Sequence, residues 1–105
     1  MSAMSDLNDS ICEYCRNLEK KLYSQFPGSD TQFVYEIGKK YVKIISESTR
    51  FGQSRSSHSY VVIGDQGKFK NGDILKSASW TAPAKNFSRG NVLTGNYEHI
   101  SPFGI

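Results

Sequence analysis

The hydrophobic period of this chain changes near residue 30, and that change constrains the fold more than any other feature. Before it, apolar residues recur at spacings of three and four, which is typical of one amphipathic helix. After it, apolar residues alternate in short runs bounded by turn residues, which is typical of antiparallel strands. A length of 105 residues fits a single domain. The sequence therefore predicts an α+β fold, in which one N-terminal helix packs on a meandering antiparallel sheet of about five strands.

The helix is predicted over residues 6–26. Its apolar stripe consists of Leu7, Ile11, Tyr14, Cys15, Leu18, Leu22 and Phe26. Ser10 and Glu13 have the spacing of a capping box, although polar residues before them could cap an earlier start. A proline and a glycine at 27 and 28 end the pattern. A stripe this broad can cover a small sheet, or it can pair with its own copy in a homodimer.

The sheet is predicted over residues 32–77, followed by an irregular segment over 78–105. The predicted strands are a hairpin at 32–46 and short runs at 58–63, 68–70 and 73–76. The second strand of the hairpin is apolar on both faces, which indicates a central position in the sheet. The polar stretch at 47–57 is predicted as a loop, and Arg89-Gly90-Asn91 as a turn.

The formal net charge of +3 is unevenly distributed. Residues 1–36 contain six acids and three bases, a balance of −3, and the remainder contains four acids and ten bases, a balance of +6. A basic body beside an acidic helix suggests an anionic partner or self-association of opposite patches, although a solvated lysine-rich surface would look the same. The chain has no apolar run long enough to span a membrane and no start typical of a signal peptide, so we expect an intracellular protein without a membrane partner.

Few residues could carry catalysis or bind a metal. Cys12 and Cys15 form a CxxC pair, but no strand precedes them as in redox motifs and no second pair completes a zinc site. We expect Cys15 on the apolar stripe and Cys12 at its margin. His58 lies between two serines, and neighbours on a regular strand point to opposite faces, so no serine–histidine dyad is expected. His58 could still be a general base with Asp73 or Glu47, but the favoured interpretation is a polar residue at the end of a strand. We predict no catalytic residue, no metal site and no cofactor.

The stretch from Gly72 to Asn91 holds the single tryptophan and most candidates for a binding surface. Basic side chains beside aromatic rings can hold a phosphate and stack a base. The candidate ligand-binding residues are Arg50, Arg55, Trp80, Lys85 and Arg89, with Phe51 and Phe87 near them in the sequence. In a domain of this size, however, a tryptophan is more often a core residue than a surface residue, and a buried Trp80 would remove the central ring of the proposed surface.

Parts of the chain resemble a group of short proteins of tailed phages, in particular marine phages. The resemblance covers roughly residues 33–93, and its most specific part is Ser-Trp-Thr-Ala-Pro-Ala-Lys at 79–85 followed by Arg-Gly-Asn at 89–91. It implies a viral or prophage origin and a small accessory protein that acts in the cytoplasm of a bacterial host. It implies no particular activity.

We expect a protein that acts by binding rather than by catalysis. The first hypothesis is a host or phage protein as the partner, or a second copy of the chain, contacted through an apolar patch near Trp80 and the tail. The alternative is nucleic-acid or nucleotide binding, which requires a contiguous basic face and an affinity that falls steeply with salt. A small hydrolase is the third hypothesis, and it requires His58 in a pocket with a carboxylate.

Overall fold

A computed structural model of the chain describes residues 3–48 and 54–102. It contains one helix packed on a five-stranded antiparallel sheet, so the predicted α+β fold is confirmed. The elements are α1 (Ala3–Gln25), β1 (Gln32–Ile37), β2 (Tyr41–Ser48), β3 (Ser54–Val62), β4 (Asp73–Lys76) and β5 (Gly90–Asn91). Each strand pairs with the next strand along the chain, which gives the sheet order β1-β2-β3-β4-β5. Of the described helix, no part is long and apolar enough to cross a membrane.

The main core lies between α1 and one face of the sheet. The apolar stripe of the helix is buried, as its spacing predicts, apart from Phe26, which is exposed beyond the end of α1. Since α1 begins at Ala3, Ser10 and Glu13 lie inside it and the predicted capping box is wrong. Leu7 is fully buried, and its packing stabilises the part of α1 that precedes Ser10.

The C-terminal segment closes one end of this core. Ile100 is buried and belongs to the same cluster as the helix stripe. The ammonium group of Lys21 on α1 donates to the carbonyl oxygens of Tyr97, Glu98 and Ile100, at 3.4, 2.5 and 2.9 Å. The part of the tail that the structure describes therefore packs on its own helix and sheet, while residues 103–105 lie outside the described residues.

Three predictions about local structure need correction. The stretch at 47–57 was predicted as a loop, but β2 runs to Ser48 and β3 begins at Ser54, because backbone pairing in an exposed hairpin does not require apolar side chains. At 68–70 there is an isolated bridge between Gln66 and Phe69 instead of a strand. Gly90–Asn91 was predicted as a turn, but it forms β5 against β4.

A β-bulge lies in the middle of the β2–β3 pair. Ile44 is opposite Ser59 and Ile45 is opposite Ser57, so His58 has no partner residue on β2. The extra residue breaks the alternation of faces that a regular strand would have. As a result, the side chains of His58 and Ser59 both turn toward α1, where each contacts Tyr14.

Candidate binding surface

The sheet has a second apolar cluster on the face opposite α1, which we call the outer face. Along β2, Val42 and Ile44 belong to the main core, and the alternating residues between and before them, Lys43 and Tyr41, therefore face outward. The outer cluster consists of Tyr60, Val62, Phe69 and Leu75, with Tyr41 packed against it. Both faces of the sheet are thus apolar at the centre, and the outer face is free of the helix.

Trp80 is held on the outer face by backbone hydrogen bonds. The buried Tyr60 hydroxyl lies 2.8 and 2.7 Å from the carbonyl oxygens of Ser79 and Trp80, to which it donates. The indole is 41% exposed, so Trp80 is a surface residue and the core alternative is wrong. The Lys43 ammonium lies 3.9 Å from the centroid of the indole, and the Arg55 guanidinium lies 5.8 Å from it. Both distances are within the range of cation–π attraction.

Arg55 is also paired with acids on this face. Its Nε lies 3.1 Å from Glu47 Oε2, and one Nη lies 3.3 Å from Glu36 Oε1. Exposed ion pairs of this kind contribute little to stability, but they orient the guanidinium. Of the four basic residues Lys43, Arg55, Lys85 and Arg89, Arg55 alone forms an ion pair with an acid within the described residues.

Of the remaining predicted site residues, the structure describes Lys85 and Arg89, and each contacts an aromatic ring. Lys85 Nζ lies 5.8 Å from the centroid of Tyr41. The guanidinium of Arg89 stacks on Phe87 at 4.0 Å, and Phe87 is 53% exposed. Arg50 and Phe51 lie outside the described residues. The structure therefore brings Arg55 to Trp80 and gives Lys85 and Arg89 aromatic partners of their own.

Sequence reasoning missed several members of this surface. They are Lys43, Tyr41, Tyr60, Lys68 and Phe69. The signal for Lys43 was available, because a lysine between two buried aliphatic residues of a strand must face the opposite side. Lys68 could not be found this way. Its ammonium lies 5.3 Å from the ring of the adjacent Phe69, but it donates to the carbonyl of Asn86 only because the fold brings these two segments together.

A groove of about 270 Å³ continues the outer face beyond Trp80. It lies between the β1–β2 turn and the segment that follows the tryptophan, with Tyr60 on its wall. The other lining residues include Ile37, Lys39, Lys40, Tyr41, Lys43 and Thr81. Three lysines, two tyrosines and Glu36 therefore border a concave space next to an exposed indole. The lysines and rings suit an anionic ligand with a flat ring, whereas Glu36 opposes an anion.

His58 forms a buried hydrogen-bond chain on the opposite, helix-facing side. Its Nε2 donates to the Ser101 carbonyl at 2.7 Å, so the other nitrogen, Nδ1, accepts from the Ser59 hydroxyl at 2.9 Å when the ring is neutral. Ser59 in turn accepts from the Tyr14 hydroxyl at 2.9 Å. Burial lowers the pKa of His58, partly offset by the bond to Ser101, and so favours this neutral form.

The expectation that a serine and His58 could not meet is therefore wrong, because the bulge turns both side chains to one side. The contact is nevertheless not a catalytic dyad. Ser59 is fully buried, and neither Glu47 nor Asp73 is a partner of the imidazole. Glu47 is paired with Arg55, and Asp73 accepts from the amide of Asn91. This series of hydrogen bonds links α1, β3 and the C-terminal segment.

The two cysteines occupy the places expected from the helical stripe. Cys15 is buried, and burial raises the pKa of its thiol to about 12, which disfavours the reactive thiolate. Cys12 is half-buried, with its sulfur 3.5 Å from the Tyr35 hydroxyl. No group of three or more metal-ligating side chains occurs in the described part of the chain.

Comparison with known proteins gives a family without an assigned activity. No curated protein and no solved structure matches the chain. One family model, described as a family of unknown function (DUF7717), matches residues 1–100. Because the match spans nearly the whole chain, including the helix, the sheet and the Trp80 surface, the protein belongs to this family of unknown function, DUF7717.

Proposed function

We propose that this protein binds single-stranded nucleic acid through the outer face of its sheet. The observation that carries the proposal is the series of cation–aromatic contacts around the outer cluster. Within the described residues these contacts are Lys43 and Arg55 with Trp80, Lys85 with Tyr41, Lys68 with Phe69, and Arg89 with Phe87. The contacts of Lys43 and Arg55 with Trp80 and of Lys85 with Tyr41 join residues far apart in the sequence, so the fold itself brings cations to the rings of this face, which favours a functional surface over a merely solvated one.

The chemistry of the face fits this ligand class. Exposed indole and phenyl rings offer planes on which bases can stack, and stacking tolerates any base. The lysines of the face have no acidic partner in the described ranges and can contact phosphates. Catalysis is not part of the proposal, since His58 is used in a buried structural chain of bonds.

A protein partner is the second candidate, and the acids of the same face favour it. Glu36 and Glu47 would repel a phosphate but suit a partner of mixed charge. Tryptophan and arginine side chains, as in Trp80 and Arg55, also often dominate protein interfaces. Either way, we propose that the protein acts in the cytoplasm of a phage-infected bacterium, as its resemblance to phage proteins implies.

The test uses the fluorescence of Trp80, the single tryptophan of the chain. Titration with octathymidylate (dT8) at low salt should quench the emission, and raising the salt should weaken binding steeply. Lys43→Met should weaken binding about fivefold through loss of one charge contact. Lys20→Met makes the same chemical change on the exposed side of α1 and should leave the affinity unchanged.

Two results would count against the proposal. If the emission and the electrophoretic mobility of the oligonucleotide both stay constant at low salt, single-stranded nucleic acid is not the ligand and the protein partner becomes the leading candidate. If Lys20→Met weakens binding as much as Lys43→Met, the attraction is a property of net charge rather than of the outer face.

A further inference from the structure

We infer that a nucleic-acid strand crosses the sheet from Trp80 to Phe87, roughly perpendicular to the β-strands, and stacks at both ends. This inference rests on the proposed function and specifies the ligand path and its length. We call each exposed ring with the cation over it a station, meaning a site where one base can stack. Trp80 with Lys43 is the first station, and Phe87 with Arg89 is the second.

The register of the sheet supplies the path. Lys43 on β2 is opposite Tyr60 on β3, and Tyr60 is opposite Leu75 on β4. The next strand, β5, follows directly after Arg89, whose amide donates to the Ile74 carbonyl at 2.7 Å. These residues mark one row across β2, β3, β4 and the residue before β5, and Tyr60 and Leu75 in its middle are buried, so the ligand would stack only at the ends. With strands about 4.8 Å apart, the row is about 14 Å long.

The second station lies beside the outer cluster. A Cβ on Gly90 would meet Asn96 and Ile100, on the side of the main core. Arg89 precedes Gly90, and its guanidinium lies 4.0 Å from the centroid of the Phe87 ring, so the two side chains occupy one place. Lys68 supports this position, since its ammonium lies 5.3 Å from Phe69 of the outer cluster and donates to the carbonyl of Asn86, next to Phe87.

Charge and exposure agree with a station at each end of the row. At one end, the indole of Trp80 is 41% exposed beneath Lys43, and at the other, Phe87 is 53% exposed beneath Arg89. A planar guanidinium on a ring can hold a phosphate while it leaves the ring edge and far face to a base. Lys85 over Tyr41, which lies on β2 with Lys43, provides a further cation.

The experiment compares a short and a long ligand. Trp80 fluorescence is titrated with dithymidylate (dT2) and with dT8, because dT2 can occupy one station and about four or more nucleotides are needed to reach both. For Phe87→Ala, we expect affinity for dT8 to fall about tenfold, as for loss of one stacked base, while affinity for dT2 measured at Trp80 is unchanged. Phe26→Ala is the matched control, because Phe26 is 54% exposed but lies at the end of α1.

A third variant separates stacking from charge. Arg89→Lys keeps the cation but loses the planar group on Phe87, so it should weaken dT8 binding less than Arg89→Met does. Circular dichroism checks that each variant keeps the fold. If wild type binds dT8 but Phe87→Ala binds it equally well, the two-station path is wrong while the proposed function stands. If wild type binds neither oligonucleotide, the proposed function itself fails and the path fails with it.

Discussion

At the scale of single residues, His58 shows how one irregularity changes the role of a side chain. The bulge removes its partner on β2 and places it between Ser59 and the tail, where both ring nitrogens have partners. The neutral ring suits this arrangement, because protonation would put a second hydrogen on Nδ1, facing a hydroxyl that already donates to it. No carboxylate is a partner of the ring in the described structure.

This arrangement predicts a pH dependence of stability. Burial lowers the pKa of His58 in the folded state below its unfolded value of about 6.5, so the unfolded chain binds more protons. The stabilising contribution is therefore complete above about pH 6.5 and is lost as pH falls toward the folded pKa. In urea unfolding measured between pH 4.5 and 8, the free energy of unfolding that depends on His58 should rise with pH up to about pH 6.5 and stay level above it.

The matched control uses the second histidine. His58→Gln should flatten the rise in stability between pH 4.5 and 6.5, because the titrating group is gone. His99, which is exposed and bonds the Arg89 carbonyl at 2.6 Å, can be changed to Gln in parallel and should leave the rise intact. An unchanged pH profile in His58→Gln would contradict the assignment.

At the scale of elements, the two-residue strand β5 depends on the absence of a side chain at Gly90. A Cβ there would come within 2.2 Å of the Asn96 carbonyl oxygen, and this backbone atom cannot move aside easily. The amide of Asn91 donates to that same carbonyl at 3.0 Å, so the approach is part of the local fold. The requirement is one of space, since Gly90 does not have a positive φ.

Gly90→Ala is accordingly expected to destabilise the protein. We expect a loss of about 2 kcal/mol or more, since β5 and the Asn96 backbone must move apart to make room for the methyl group. Gly28→Ala is a suitable control, because a Cβ at Gly28 meets nothing within 4 Å. Thermal unfolding of the two variants beside wild type measures the difference. Equal melting temperatures for both variants would show that the β5 region accommodates the methyl group.

At the scale of the whole molecule, charge is unevenly divided along the chain. The segment up to residue 36, which includes α1, carries the −3 balance, and the remainder carries +6. The paired cations and rings lie on the outer face, away from the helix. The cations of the outer face should attract an anionic ligand, while Glu36 and Glu47 on the same face reduce that attraction.

The salt dependence of binding measures how many cations take part. If four cations contact phosphates, a plot of log affinity against log salt for dT8 should have a slope of about −3. Lys85→Met should make the slope shallower by about 0.7, since one phosphate contact is lost. Lys20→Met should not change it. An equal slope in Lys85→Met and wild type would remove Lys85 from the interface.

The sequence by itself determined the layers of this protein. Spacings of three and four gave the buried stripe of α1, and alternation placed β2 at a central position, because burial of apolar area follows the repeat of each element. The basic and aromatic composition of the C-terminal half also predicted cations beside rings, and Trp80, Arg55, Lys85 and Arg89 do contact aromatic or cationic neighbours. These features depend on local pattern, which a sequence displays directly.

Only the tertiary structure decided the rest. The bulge at His58 arises from the pairing of β2 with β3, so the alternation of residues within β3 does not predict it. The exposure of Trp80 depends on Tyr60, twenty residues earlier, whose hydroxyl holds the tryptophan backbone against the sheet. The contact of the Lys43 ammonium with the Trp80 indole joins β2 to the segment that follows β4. In each case the deciding contact is between residues distant in sequence, and such contacts exist only once the chain is folded.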